Sequence, residues 1–144
     1  MARAKRPKGP TKDHSIDFLQ IQDKLDTVRV QLKSAIRQVW SRYGVERELT
    51  LNAAKLSKFK LNADGEETRQ KVVFYACRSC GGEFKLSEVQ VDHIEPVGKT
   101  PKYLDWAAWG QWIAKVFSPV NNLQVLCKPC HKVKGAEDRQ NGYY

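Results

Sequence analysis

The sequence predicts one α+β domain with an N-terminal helical extension. Three observations lead there: a helical period of apolar residues between positions 16 and 43, short β-branched and aromatic runs beyond position 70, and two paired-cysteine turns set among those runs. A chain of 144 residues, 41% of them hydrophobic, fits a single domain with a small core. Three segments follow: a basic arm over 1–15, the helical extension over 16–70, and a core over 71–144 that holds the cysteines.

The arm carries Arg3, Lys5, Arg6, Lys8 and Lys12 with two prolines and no acid before residue 13, so it reads as a phosphate-seeking tail rather than a folding unit. Leu25, Val28, Leu32, Ala35, Ile36, Val39 and Tyr43 recur at three and four, the period of an amphipathic helix, and Gly44 reads as its C-cap. The opposite side of that helix bears Arg29, Lys33, Arg37 and Arg42, which is either a solvated face or one turned to DNA. Residues 45–70 show no long period and include a turn signal at Asn62-Ala63-Asp64-Gly65. KVVFYA (71–76) reads as a strand running into the first cysteine, and FKLSEVQV (84–91) as a second strand or the start of one. Asp105 is placed to cap a helix in which Trp106, Trp109, Ile113, Val116 and Phe117 form the apolar stripe, leaving Trp112 on the exposed side. NLQVL (122–126) is a further short strand or loop.

Charge and cysteines narrow the function. Lys and Arg number 25 against 16 Asp and Glu, a formal net charge of +9, which attracts polyanions and makes nucleic acid the first candidate partner. No apolar stretch approaches the roughly 18–20 residues that cross a bilayer, and the N-terminus lacks the hydrophobic segment of a secretion signal, so an intracellular, reducing compartment is expected. There, four cysteines read as metal ligands before disulfides. Cys77-Arg78-Ser79-Cys80 and Cys127-Lys128-Pro129-Cys130 each aim two sulfurs at one point, and four thiolates make a closed, structural Zn²⁺ site. Gly81-Gly82 supplies the backbone freedom such a knuckle needs. Clamping the two knuckles brings the segment holding Asp92-His93 towards His131, which makes a second, open site geometrically possible. A hard ion there, Mg²⁺ or Mn²⁺, takes a carboxylate, an imidazole and substrate oxygens, while His93 diverges from Asp92 along an extended strand and serves as a general base.

At this point VDHIEPV and NNLQVLCKPCHKVKG, bracketed by two CxxC pairs, resemble the zinc-bearing branch of the HNH endonucleases, and the inserted Trp-rich helix is similar to that of free-standing phage enzymes. The resemblance spans about residues 77–138. It implies a ββα-metal core whose signature residues are His93, Asn122 and His131, with Asp92 and His131 holding the catalytic ion. It further implies that His93 takes a proton from the attacking water and that Asn122 fixes the loop carrying His93. The products would be a 5′-phosphate and a 3′-hydroxyl. DNA is the expected partner, contacted through Lys128, Lys132, Lys134, Arg29, Lys33, Arg37, Lys5 and Arg6, with no membrane involved. The cytoplasm is the expected location, a bacterial host's if the chain is phage-encoded. Other readings stand beside this one. Asp92 can be a turn cap, His93 a structural histidine, His131 a fourth zinc ligand in place of a cysteine, and Asn121 competes with Asn122. The whole chain can equally be a non-catalytic zinc module that binds nucleic acid.

Overall fold

The computed structural model describes residues 18–144, so the basic arm, with Lys5 and Arg6, lies outside the described residues. In chain order the elements are α1 (Phe18–Tyr43), α2 (Val45–Ala53), β1 (Lys55–Leu61), β2 (Glu67–Ala76), β3 (Glu83–Phe84), β4 (Val89–His93), α3 (Trp106–Val116), β5 (Leu123–Cys127) and α4 (Lys128–Gln140). The α+β class holds. The strands form two small antiparallel sheets, ordered β1-β2-β3 and β4-β5. Among the described residues no helix is long and apolar enough to cross a membrane.

The helical extension read over 16–70 is only partly helical. After α2 the chain enters β1, which pairs with β2 from Lys55↔Tyr75 to Leu61↔Glu67. The turn signal explains why: Asn62 Oδ1 accepts from the backbone N–H groups of Asp64 (3.0 Å) and Glu66 (2.8 Å), and Gly65 takes φ +82°. Gly44 ends α1 by a different means from the one expected. Its φ is −65°, so no left-handed cap forms; an added Cβ would instead lie 2.6 Å from the Trp40 carbonyl oxygen. Close approach, rather than backbone handedness, selects glycine there.

Side-chain packing corrects two sequence expectations. On α1 the residues that meet the core are Leu32, Ile36 and Trp40, while Leu25, Val28, Val39 and Tyr43 stay exposed. A helix that touches the body along one line buries a single i, i+4 row, and the wider apolar stripe overshoots it. On α3 the buried stripe is Trp109, Trp112 and Val116, whereas Trp106 is 71% exposed. Trp112 is drawn in because its indole N–H donates to the Gly98 carbonyl (3.4 Å) and its ring meets Trp109 edge-on at 5.6 Å. Trp40 packs against both that cluster and the one formed by Val89, Val91, Leu123 and Val125, and so joins α1 to α3 and to the β4-β5 pair.

Candidate metal centre and histidine cleft

The four cysteines converge. Cys77 follows β2, and Cys80 is returned to it by a turn in which Gly81 (φ +71°) donates its N–H to the Cys77 carbonyl at 2.9 Å. Gly82 is also required, since a Cβ there would come within 2.8 Å of the Phe84 ring. Cys127 closes β5, and Cys130 sits in the first turn of α4, which Pro129 helps to start. All four sulfurs lie within 4.8 Å of one another. The Cys80–Cys127 Sγ separation is 3.9 Å, against an edge of about 3.8 Å for a tetrahedron with 2.3 Å metal–sulfur bonds. The cluster can therefore hold a metal such as zinc. Burial opposes the Cys77 thiolate, but the N–H groups of Cys80, Cys127 and Ser79 outweigh it and hold the thiol below its ordinary range. At Cys127 the Cys130 N–H favours the thiolate, yet burial and the neighbouring sulfurs overcome it and push the thiol up. A bound cation would displace the thiol protons and hold the four sulfurs as thiolates. His131 does not join this group.

The second constellation is built by β4, β5 and α4. Val89, Val91 and His93 turn inward from β4, and Asp92 leaves by the other face, in register with Gln124 of β5. Both Asp92 and His93 nevertheless line one cleft of about 550 Å³, together with His131, Trp40, Lys33 and Arg37. His131 Nε2 lies 3.7 Å from Asp92 Oδ1. Two donors about 2.1 Å from one octahedral ion lie roughly 3 Å apart at adjacent positions, so the pair would have to close by about 0.7 Å to share a hard cation. Gly135, one turn after His131, keeps α4 helical and also lines the cleft, where it adds no side chain.

His93 is 8% exposed and held from two sides. Its ring lies against Trp40, with centroids 4.9 Å apart and planes tilted by 30°. Its Nε2 is 2.9 Å from the Val116 carbonyl oxygen. A carbonyl only accepts, so Nε2 carries the hydrogen and Nδ1 keeps the lone pair. Burial is the largest influence on this histidine and lowers its pKa, against the Val116 carbonyl and Asp92, which favour the imidazolium. Asn122 clamps the turn that follows: its carbonyl accepts from Ile94 N–H and its Oδ1 from Glu95 N–H, both at 2.8 Å. Asn121 and Glu95 are exposed.

The lysines expected at phosphates divide. Lys128 and Lys132 are exposed on α4 and do not line the cleft. Lys134 turns inward: its Nζ lies 2.6 Å from Asp138 Oδ2 and 3.3 Å from Asp92 Oδ2, so it serves the protein's own carboxylates and not an exposed phosphate contact. Burial disfavours its charge, but Asp138 and Asp92 outweigh that and raise its pKa. Two contributors escaped the sequence reading. Asp138 was legible as an i, i+4 partner of Lys134. Trp40 was not, because nothing local ties it to His93. Arg29, Lys33 and Arg37 do not face away from the core as expected; they flank the packed row of α1 and reach the cleft and the hollow beside it.

No protein-family model matches the chain, and no curated protein or solved structure matches it.

Proposed function

We propose that this chain is a metal-dependent DNA endonuclease of the HNH type, with a structural zinc at Cys77, Cys80, Cys127 and Cys130. One observation carries the reading. A buried histidine with a defined free nitrogen shares a cleft with a carboxylate–imidazole pair 3.7 Å apart, all on an antiparallel strand pair followed by a helix. Asp92 and His131 would hold a divalent ion such as Mg²⁺ or Mn²⁺, which when bound supplies positive charge to the scissile phosphate and the leaving oxygen.

His93 Nδ1 takes a proton from a water as its oxygen attacks phosphorus in line, the P–O3′ bond breaks, and O3′ leaves to be protonated from solvent. A 5′-phosphate and a 3′-hydroxyl result. The Val116 carbonyl fixes the tautomer, Trp40 fixes the ring, and Asn122 fixes the backbone beyond it, so the base is held before substrate arrives. A specific contact favours the second reading, a zinc module that binds nucleic acid without cutting it: Lys134 already neutralises one oxygen of Asp92.

Conversion of supercoiled plasmid to nicked or linear forms with Mg²⁺ or Mn²⁺ decides between them. The enzyme reading expects cleavage that His93→Ala abolishes while DNA binding survives. Cleavage persisting in that variant removes His93 from the mechanism, and binding without cleavage under every divalent ion tried favours the binding module.

A further inference from the structure

Beside the cleft lies a smaller hollow of about 280 Å³. Its walls include Arg29, Lys33 and Arg37 from α1, and Lys99 and Thr100 from the loop after β4. Lys33, Arg37 and Tyr144 line both spaces, so the hollow adjoins the cleft that holds Asp92, His93 and His131. No acidic side chain lines it. Asp26 lies 3.6 Å from Arg29 Nε, one turn earlier on the same helix, and Asp92 and Asp138 line the adjoining cleft. Arg29, Lys33 and Arg37 follow one another at four residues, about 6 Å of helix rise per step. Like charges at that spacing destabilise a helix. A row of them that faces a concavity instead of open water is arranged for an anion.

An independent observation points to the same place. Among the described residues three buried polar side-chain atoms lack a hydrogen-bond partner: Arg29 Nε, Trp40 Nε1 and Thr100 Oγ1. Arg29 and Thr100 belong to the hollow and Trp40 to the cleft. Buried donors without partners are uncommon and call for a ligand or an ordered water. Here all three belong to side chains that line the hollow or the cleft beside it, and each can donate; Arg29 Nε has only the Asp26 carboxylate, at 3.6 Å.

We propose that this hollow is a phosphate subsite: it takes a backbone phosphate of the strand being cut, to one side of the scissile bond, and leads that strand along α1 to His93. The inference rests on the endonuclease reading, but its test reads binding alone. Fluorescence anisotropy would follow a short labelled DNA on the full chain, with its zinc and without other divalent ions, over a range of salt. Lys33→Gln and Lys99→Gln should each weaken binding and reduce the slope of log K against log salt by about 0.9, one phosphate contact each. Lys60→Gln, on the exposed hairpin β1-β2, is the comparison. If Lys33→Gln and Lys99→Gln weaken binding no more than Lys60→Gln does, the subsite is overturned.

A second arm alters the DNA and reads it on wild type and Lys99→Gln. Neutral methylphosphonates placed one at a time along the strand should show one position flanking the cut where the loss in wild type vanishes in Lys99→Gln. Losses that are uniform along the strand, or unchanged in Lys99→Gln, also overturn the subsite. Intact plasmid cleavage with unaffected Lys33 and Lys99 variants removes the subsite and leaves the nuclease. Subsite-dependent binding without cleavage removes the nuclease and leaves the subsite.

Discussion

His93 is the residue at which burial and chemistry are most tightly joined. An imidazole free in water titrates near 6.5, and burial in the fold pushes this one lower. Only the neutral ring can accept a proton, so cleavage should be independent of this group above pH 6.5 and fall on acidification at a pH below that value. The same depression bears on stability. Where the unfolded chain binds a proton and the folded chain does not, stability is lost as pH falls, between 6.5 and the lower folded-state value. A pH–rate profile whose acid limb lies at or above 6.5 would argue against His93 as the base. Lys134 makes a second, separable prediction. Its ammonium competes for Asp92 with any arriving cation, so Lys134→Met should tighten Mn²⁺ binding by about tenfold, or ~1.4 kcal/mol, in a calorimetric titration. Weaker binding in that variant would mean that Lys134 orients Asp92 instead of opposing the ion.

Among the elements, α3 gives the sharpest contrast, because three tryptophans on one helix occupy three environments. Trp109 is 1% exposed and donates its indole N–H to the Tyr103 carbonyl at 2.9 Å, Trp112 is 3% exposed, and Trp106 is 71% exposed. Trp109→Ala should cost about 3–5 kcal/mol in denaturant unfolding, while Trp106→Ala should stay within about 0.5 kcal/mol of wild type. Equal losses at the two positions would contradict this placement. The contrast also marks how far the sequence could be read. Asp105 as the cap, the span of α3 and the inward Trp109 follow from local chemistry, and Asp105 Oδ1 does accept the Ala107 N–H at 2.9 Å. Trp112 could not be placed that way, because its burial is decided by Gly98, 14 residues earlier, and by the row Leu32, Ile36 and Trp40 on α1. The candidate site divides in the same manner. CxxC spacing makes the cysteine cluster legible, and β alternation predicts that Asp92 and His93 diverge. The stacking of Trp40 on His93 and the capture of Lys134 by Asp138 and Asp92 are tertiary facts with weak or absent local signals.

For the molecule as a whole, the four cysteines sit where two sheets meet, beside Tyr75 and Phe84, which pack on Val89, Val91, Leu123 and Val125. Cys77 directly follows β2, with β3 of the same sheet after the first cysteine pair, and the β4-β5 pair ends at Cys127, where α4 begins. A direct backbone bond across them, Arg78 N–H to the Val125 carbonyl at 2.9 Å, is short-range support of the same junction. A two-stranded sheet is marginal in water without other packing. Bound zinc of this type contributes roughly 10–16 kcal/mol of apparent folding energy, whereas small domains hold only about 5–15 kcal/mol net, so the junction should not survive its loss. Chelation should therefore release one zinc per chain and, in step with it, abolish the cooperative thermal transition seen by circular dichroism. Asp92, His93 and His131 depend on that junction for their convergence, because His131 follows Cys130 directly and β4 is registered on β5. Nicking should accordingly vanish with the zinc even when Mg²⁺ is present in excess, and His131→Ala should retain one zinc while losing cleavage. A chain that gives up its zinc yet melts cooperatively at an unchanged temperature would show that the apolar clusters around Trp40 hold the fold by themselves.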